Sequence, residues 1–448
     1  MSGDFKRECR LNRFARMAKM SGGDNIMKIP DNTQLRAKDS ELIDETNSEF
    51  YSRFPYPWSP VVFPKGDRSD FETIMLNQSV GDFTQCVIPL KAKIWVAGCG
   101  TNQAIYTALK FPEAKVIGSD ISPLSLEVCR KNANCLKIEN LELKQESLNH
   151  VDYRDEFDYI LSTGVIHHNA DPSRPLANIA KALRPNGILE LMVYNKFHRK
   201  FHASFQGAIR ILADSQIVPP TMDEQLHLAR LVLESEPAAG TSFAMQVKEG
   251  PEAQFADMLI QPLEYSYTVD TLHSLIGACG LELILPCGNQ FDYYNDRSWF
   301  VNFSAEELRD KVSALKDVTR WQFINFLLME NSPMLWFFVG HQGWKGCEYY
   351  QQQVNDDFLG RRFARASTRI WNYVRNPQDS VYRCSPIASS YPPRPRKSAI
   401  ENIISRVDGK TTMYEILSKL GVDTTDTDLI SDIRMHTTTT TCPYLLSV

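Results

Sequence analysis

The chain has 448 residues, 49 Lys/Arg against 54 Asp/Glu and a net charge of −5. That length predicts two or three folded units, and that balance gives no electrostatic reason to bind nucleic acid. A hydrophobic content of 43% with no apolar run long enough for a transmembrane helix, and ten cysteines without CxxC or His/Cys metal spacing, predict a cytoplasmic chain with reduced thiols, no membrane partner and no metal site.

In chain order, residues 1 to about 40 are polar and poorly patterned. Lys6, Arg7, Arg10, Arg13, Arg16 and Lys19 make a basic start, but Asp4, Glu8 and Asp24 interrupt it. A disordered or loosely docked helical tail is therefore expected rather than a transit peptide. From Phe50 to Pro60, five aromatics and three prolines fall in eleven positions, a density that excludes a regular helix or central strand. This segment is either a lid on a binding site or a strap packed outside it, and Tyr51, Tyr56 and Trp58 are candidates for a pocket wall. Residues 67–85 are expected to form a helix, closing an N-terminal cap region over 1–85.

The next stretch, 86–195, reads as alternating strands and helices. Ile94-Trp95-Val96-Ala97 is a short buried strand that breaks into the turn Gly98-Cys99-Gly100-Thr101-Asn102-Gln103, and a helix pattern runs from about Ala104 to Leu109. Glycines allow close backbone approach, and the helix N-terminus offers unpaired N–H groups. A second strand, Ala114 to Gly118, leads to Asp120, twenty residues beyond Gly100, where such folds hold a ribose by its hydroxyls. Ser122 is placed as an N-cap with Pro123 at the first helical position. Strands at 141–145, 158–161 and 188–193 follow, so a doubly wound, mostly parallel α/β sheet is predicted. A dinucleotide fingerprint wants glycine at 103; Gln103 argues for a ligand without a diphosphate.

Three ordered motifs settle which ligand. They are the glycine turn, Phe157 to His168 followed by Asp171-Pro172, and Leu183-Arg184-Pro185-Asn186-Gly187-Ile188-Leu189-Glu190-Leu191. Together they closely resemble class I S-adenosylmethionine-dependent methyltransferases of the bacterial methyltransferase-domain type. The resemblance implies a seven-stranded Rossmann-like sheet with its last strand antiparallel, and S-adenosyl-L-methionine as cofactor. It implies that Ala97, Gly98, Cys99, Gly100, Asn102, Gln103, Asp120, Ile121, Glu146, Ser147, Ser162, Thr163 and Gly164 surround that cofactor. His167 and His168, just past the fourth strand, are candidates for a catalytic base. The same pair occurs in similar enzymes with different substrates, which points to loop shaping. Tyr194 and Asn195 are candidates for shaping the acceptor pocket.

Beyond the core, 196–263 reads as a helical insertion with helices near Phe205–Ala213 and Gln225–Leu233. Residues 264–345 carry the rest of the sheet (280–285 and 334–340) and a second insertion. Residues 346–395 are expected as a linker region, Pro/Ser-rich from Ser385 to Pro395. Residues 396–448 are expected as a small winged-helix-like module whose threonine run, Thr437 to Thr441, opens a disordered tail. The expected function is methyl transfer to an oxygen or nitrogen of a small metabolite or natural product. A peptide acceptor presented by the C-terminal module, and a non-catalytic cofactor-binding scaffold, are the alternatives.

Overall fold

The computed structural model describes residues 33–57, 60–344 and 350–448. The basic start of the chain and Trp58 lie outside the described residues. Seven strands form the central sheet: β1 (Lys93–Ala97), β2 (Lys115–Asp120), β3 (Leu141–Gln145), β4 (Phe157–Thr163), β5 (Leu183–Val193), β6 (Leu281–Pro286) and β7 (Leu335–His341). Their spatial order is β3-β2-β1-β4-β5-β7-β6. The first five pair in parallel, and β7 runs antiparallel to both β5 and β6. The strand order reverses between β1 and β4, and ligands bind outside the carboxyl ends of the strands at such a switch point.

Alternation along β1 sends Ile94 and Val96 to one face and Trp95 and Ala97 to the other, all fully buried. The first face packs on α2 (Gln103–Lys110) and α3 (Pro123–Cys135) through Ile105, Ala108, Leu126 and Cys129. The second packs on α4 (Ser173–Ala182) and on Val269–Gly277 through Leu176, Ile179, Leu272 and Ile276. Ser122 caps α3 as expected, its hydroxyl accepting the Ser125 N–H at 3.2 Å with Pro123 next in line.

Several expectations need correcting. Residues Thr33–Arg53 are one helix, α1, so Phe50 to Arg53 are helical and the irregular segment begins at Phe54. Pro55 and Pro57 do break the helix, four residues later than the composition of 50–60 suggested. The buried face of α1 is Ser40, Ile43, Asn47 and Phe50. Two of these four are polar, which hides the period from an apolar scan. The helix expected over 67–85 is only Phe71–Ser79. Gly81 turns the chain at φ +76, and the Asp82 carboxylate collects the N–H groups of Thr84, Cys86 and Val87.

The expected linker is folded. Tyr350–Gly360 is helical, and Thr368–Arg375 pairs antiparallel with Val62–Gly66, Tyr382–Cys384 and Ser389–Tyr391. The expected disordered tail is buried: Thr437, Thr438 and Thr439 return their hydroxyls to the carbonyls of Ile433, Arg434 and Met435. Leu445–Ser447 then pairs with Phe363–Arg365, and the buried Gln78 side chain bonds the backbone at Leu445 and Ser447. Short hydroxyl side chains satisfied by their own helix need no water, so polar composition did not mean disorder here. The three C-terminal helices add Ile400, Ile403, Met413, Ile416 and Ile430 to the core on the α2–α3 face of the sheet.

The insertion after β5 brings Lys200–Asp214, Met222–Glu234, Ser242–Lys248 and α5 (Glu252–Leu259), among others. Both expected insertion helices fall inside these ranges, and Thr221 with Glu224 caps the second by a reciprocal box. These helices enclose a third core that includes Phe50 and Phe54. Helix α1 thus ties the insertion to the edge of the sheet.

Candidate cofactor and acceptor site

The turn after β1 uses its glycines for two close approaches. Gly98 sits at φ +80, and a Cβ there would stand 2.4 Å from Val165 Cγ2. Gly100 sits at φ +53, and a Cβ there would stand 2.6 Å from the Tyr56 carbonyl oxygen. An L side chain is strained at such φ and has no room at either position. The partner at Gly100 is thus this chain's own Tyr56–Pro57 segment, which also accepts the Thr101 hydroxyl at the Pro57 carbonyl. Gln103, which takes the place of a third glycine, donates its amide to Thr163 Oγ1 and so bridges the N-terminus of α2 to the end of β4.

Asp120 ends β2 with its carboxylate accepting Gly100 N–H at 2.8 Å and Ser122 N–H at 2.9 Å. Burial raises its pKa, and those backbone donors work the other way. Helix α1 crosses above. Ser48 donates to the Ile121 carbonyl at 3.1 Å, Asn47 donates to the His168 carbonyl at 2.8 Å, and Asp44 accepts from Asn149 at 3.0 Å and from the Ser147 hydroxyl. Between α1 and the strand ends lies an open cleft of about 510 Å³ lined by Asp44, Ser48, Ile121, Gln145, Glu146 and Ser147. Glu146 is held there by Tyr153, whose hydroxyl donates to Oε1 at 2.8 Å. Ala97 and Cys99 are buried, with Cys99 N–H bonded to the Ser119 carbonyl at 2.8 Å. Ser162 is buried with its hydroxyl unpartnered, and Gly164 follows Thr163 at φ +79. Asn102 is buried at the N-cap of α2. The thirteen residues expected around a cofactor therefore converge on one side of the sheet, at the ends of β1 to β4.

A second group gathers beside them, beyond β4 and β5. Tyr194 packs on His167 with centroids 3.8 Å apart and the rings tilted by 35°, and the Arg199 guanidinium lies 4.1 Å from the Tyr194 ring centre. Arg199 forms a two-pronged ion pair with Glu264, both side chains nearly excluded from solvent. Burial works against the Glu264 carboxylate, but the Arg199 charge and hydrogen bonds overcome it and hold its pKa below the ordinary value. Tyr51 donates to Asp257 of α5 at 3.2 Å. Burial, followed in size by the charges of His168 and Arg199 acting in the opposite sense, leaves the Asp257 pKa raised. Tyr56 keeps 38% of its surface exposed, yet its hydroxyl end is enclosed. Burial and the Asp257 charge push that hydroxyl up to about 12.

His167 is fully buried, and neither ring nitrogen has a hydrogen-bond partner. Burial, then the neighbouring His168 and Arg199 charges, take its pKa well below the ordinary histidine value. His168 Nδ1 faces the Leu263 carbonyl at 2.8 Å, which requires the proton on Nδ1. Asn195 is spent on structure, donating to Ser332 Oγ and the Pro333 carbonyl at 3.0 Å each and accepting Phe197 N–H. Sequence reasoning missed Arg199, Asp257 and Glu264. The one signal was a lone acid inside the apolar run Phe255-Ala256-Asp257-Met258-Leu259. A smaller cavity of about 50 Å³, between Asn289 and the helix bearing Asp432 and His436, contains none of these residues.

Residues 96–225 match the family model described as a methyltransferase domain. An uncharacterized protein of Synechococcus sp. is 27% identical over 350 residues, 74% of this chain and 81% of that one. A ubiquinone biosynthesis O-methyltransferase of Rhodopseudomonas palustris is 24% identical over 123 residues, 25% of this chain and 48% of its own length. PKMT2 from Rickettsia typhi, solved also in complex with AdoHcy, shares the fold at a TM-score of 0.51 and 16% identity. The match covers 87% of this chain and 76% of that one. Among the described residues no helix is long and apolar enough to cross a membrane. The strand order, the three motifs and these likenesses agree: residues 96–225 match a methyltransferase domain, set in a sheet of the class I S-adenosylmethionine-dependent methyltransferase fold.

Proposed function

We propose that this chain methylates a small molecule whose nucleophilic atom lies in the buried cluster around Asp257, Tyr51 and Tyr194. The observation that carries this reading is the Tyr56–Pro57 segment. Its backbone packs against Gly100 and Thr101 of the cofactor turn, while its phenol lies in the field of Asp257 and Arg199. One stretch of chain thus borders both groups, as alignment of donor and acceptor requires.

The residues present fit the cofactor. Gly98 and Gly100 leave a turn without side chains, and Asp120 stands at the end of β2 with further lone pairs for ribose hydroxyls. The unpartnered Ser162 hydroxyl and the open cleft at Ile121, Glu146 and Ser147 complete the surroundings. When bound, S-adenosylmethionine supplies an activated methyl carbon, so the protein's work is to orient the acceptor, exclude water and handle a proton. His167 suits loop shaping better than base catalysis, because a ring with so low a pKa is a weak proton acceptor.

Isothermal calorimetry tests the cofactor half. S-adenosylhomocysteine should bind, and NAD should not, because Gln103 spans the turn where a diphosphate needs glycine. Tighter binding of NAD would overturn this reading.

A further inference from the structure

The function proposed above is the premise here; the charges of the acceptor cluster then narrow its substrate to one chemical class. Arg199 and Glu264 neutralise each other through paired hydrogen bonds from Nε and Nη2, so the Arg199 charge is already matched by a carboxylate. His167, at its lowered pKa, carries no charge at neutral pH. Asp257 is 6% exposed, and among the described residues no cation lies within ion-pair distance of it. Its side-chain hydrogen-bond donor is the neutral Tyr51 hydroxyl. Asp257 is thus a buried carboxyl with no ion-pair partner in contact, the charges of Arg199 and His168 reaching it only from a distance, in a place where an unpaired charge is costly. His167 adds a second sign of an absent partner, being fully buried with both ring nitrogens unpartnered.

We propose that the methyl acceptor is an amine, bound with its nitrogen against the Asp257 carboxylate and beside the hydroxyls of Tyr51, Tyr56 and Tyr194. An ammonium supplies the missing positive charge and several N–H donors, and those oxygens are acceptors. An anionic acceptor such as a carboxylate or a phenolate would meet Asp257 with like charge, and the Arg199 charge is already matched by Glu264.

The proton balance closes within the same groups. The ammonium passes one proton to Asp257, whose carboxyl burial holds above its ordinary range, and this frees the nitrogen lone pair. A nitrogen–carbon bond then forms as the carbon–sulfur bond breaks with its electron pair staying on sulfur. The positive charge moves from sulfur to nitrogen, and Asp257 returns its proton to solvent when the product leaves.

The test uses the full chain saturated with S-adenosylhomocysteine and three probes of equal length: n-hexylamine, n-hexanol and hexanoate. Calorimetry should show the amine binding at least about tenfold tighter than either of the others. Asp257→Asn should abolish that preference, and Tyr51→Phe should reduce it less. Circular dichroism checks that both variants fold; if Asp257→Asn does not, the comparison of the three probes on the unmodified chain decides alone. No preference for the amine, or a preference for hexanoate, overturns the assignment. Failure of S-adenosylhomocysteine itself to bind would instead bring down the function on which the assignment rests.

Discussion

At the β1–β3 end of the sheet edge, Asp120 is held by the N–H of Gly100 and Ser122, twenty and two residues away. At the β4–β5 end, Tyr51 reaches Asp257 across 206 positions, and Arg199 reaches Glu264 across 65. The first arrangement is made of backbone donors that any sequence folding this way supplies. The second is made of side chains delivered by an insertion and by α1, so it can change without disturbing the sheet. On the function proposed above, a common cofactor half and a variable acceptor half follow from that difference.

The strongest way to break the comparison is Arg199→Met, which keeps an apolar stem and removes the charge. Glu264 would be left buried without its cation, which costs about 3–5 kcal/mol. Urea unfolding should show that loss, and a change below about 1 kcal/mol would mean that the pair is solvated in solution. Asp120→Ala acts on the other half. Losing charge-assisted bonds to ribose hydroxyls should cost about 1.5–3 kcal/mol of cofactor affinity, roughly tenfold to a hundredfold, with the fold intact by circular dichroism. Unchanged affinity would move the ribose contact elsewhere.

The smallest effect sharpens the contrast between the two acids of the acceptor half. Asp257 has a raised folded-state pKa, so its stabilising contribution is complete below the ordinary carboxyl pKa of 3.8 and is lost as pH rises through the raised value. Glu264 has a lowered one, so its contribution is present above 4.5 and is lost as pH falls through the lowered value. Tyr51 from α1, Tyr56, His168, Tyr194, Arg199 and Glu264 are titratable or charged groups in the field of Asp257. Asp257→Asn should therefore melt higher than the unmodified chain at neutral pH, with the gap shrinking on acidification. A gap independent of pH would show that Asp257 titrates normally.

Locally encoded features were legible without a structure. The glycine turn, the acid at the end of β2, the Ser122-Pro123 start of α3 and the alternation of strands and helices all depend on residues within about twenty positions of one another. Backbone conformation and hydrogen bonding decide such features, and both leave marks in residue type. The reach of α1 was not legible, because Ser40 and Asn47 share its buried face with Ile43 and Phe50. Nor was the ordered threonine tail, whose hydroxyls are satisfied inside the fold.

What the sequence by itself determined was the sheet, the cofactor class and the residues at the ends of β1 to β4. Only the tertiary structure decided what Gly100 makes room for, that the C-terminal helices share a core with the sheet, and which acids gather beside Tyr51 and Tyr194. An acid's consequence depends on its burial and its partner: Glu264 is paired with Arg199, whereas Asp257 accepts a tyrosine hydroxyl. Neither fact is written near those residues in the chain, because the groups that set them are brought together only when the insertion closes over the sheet.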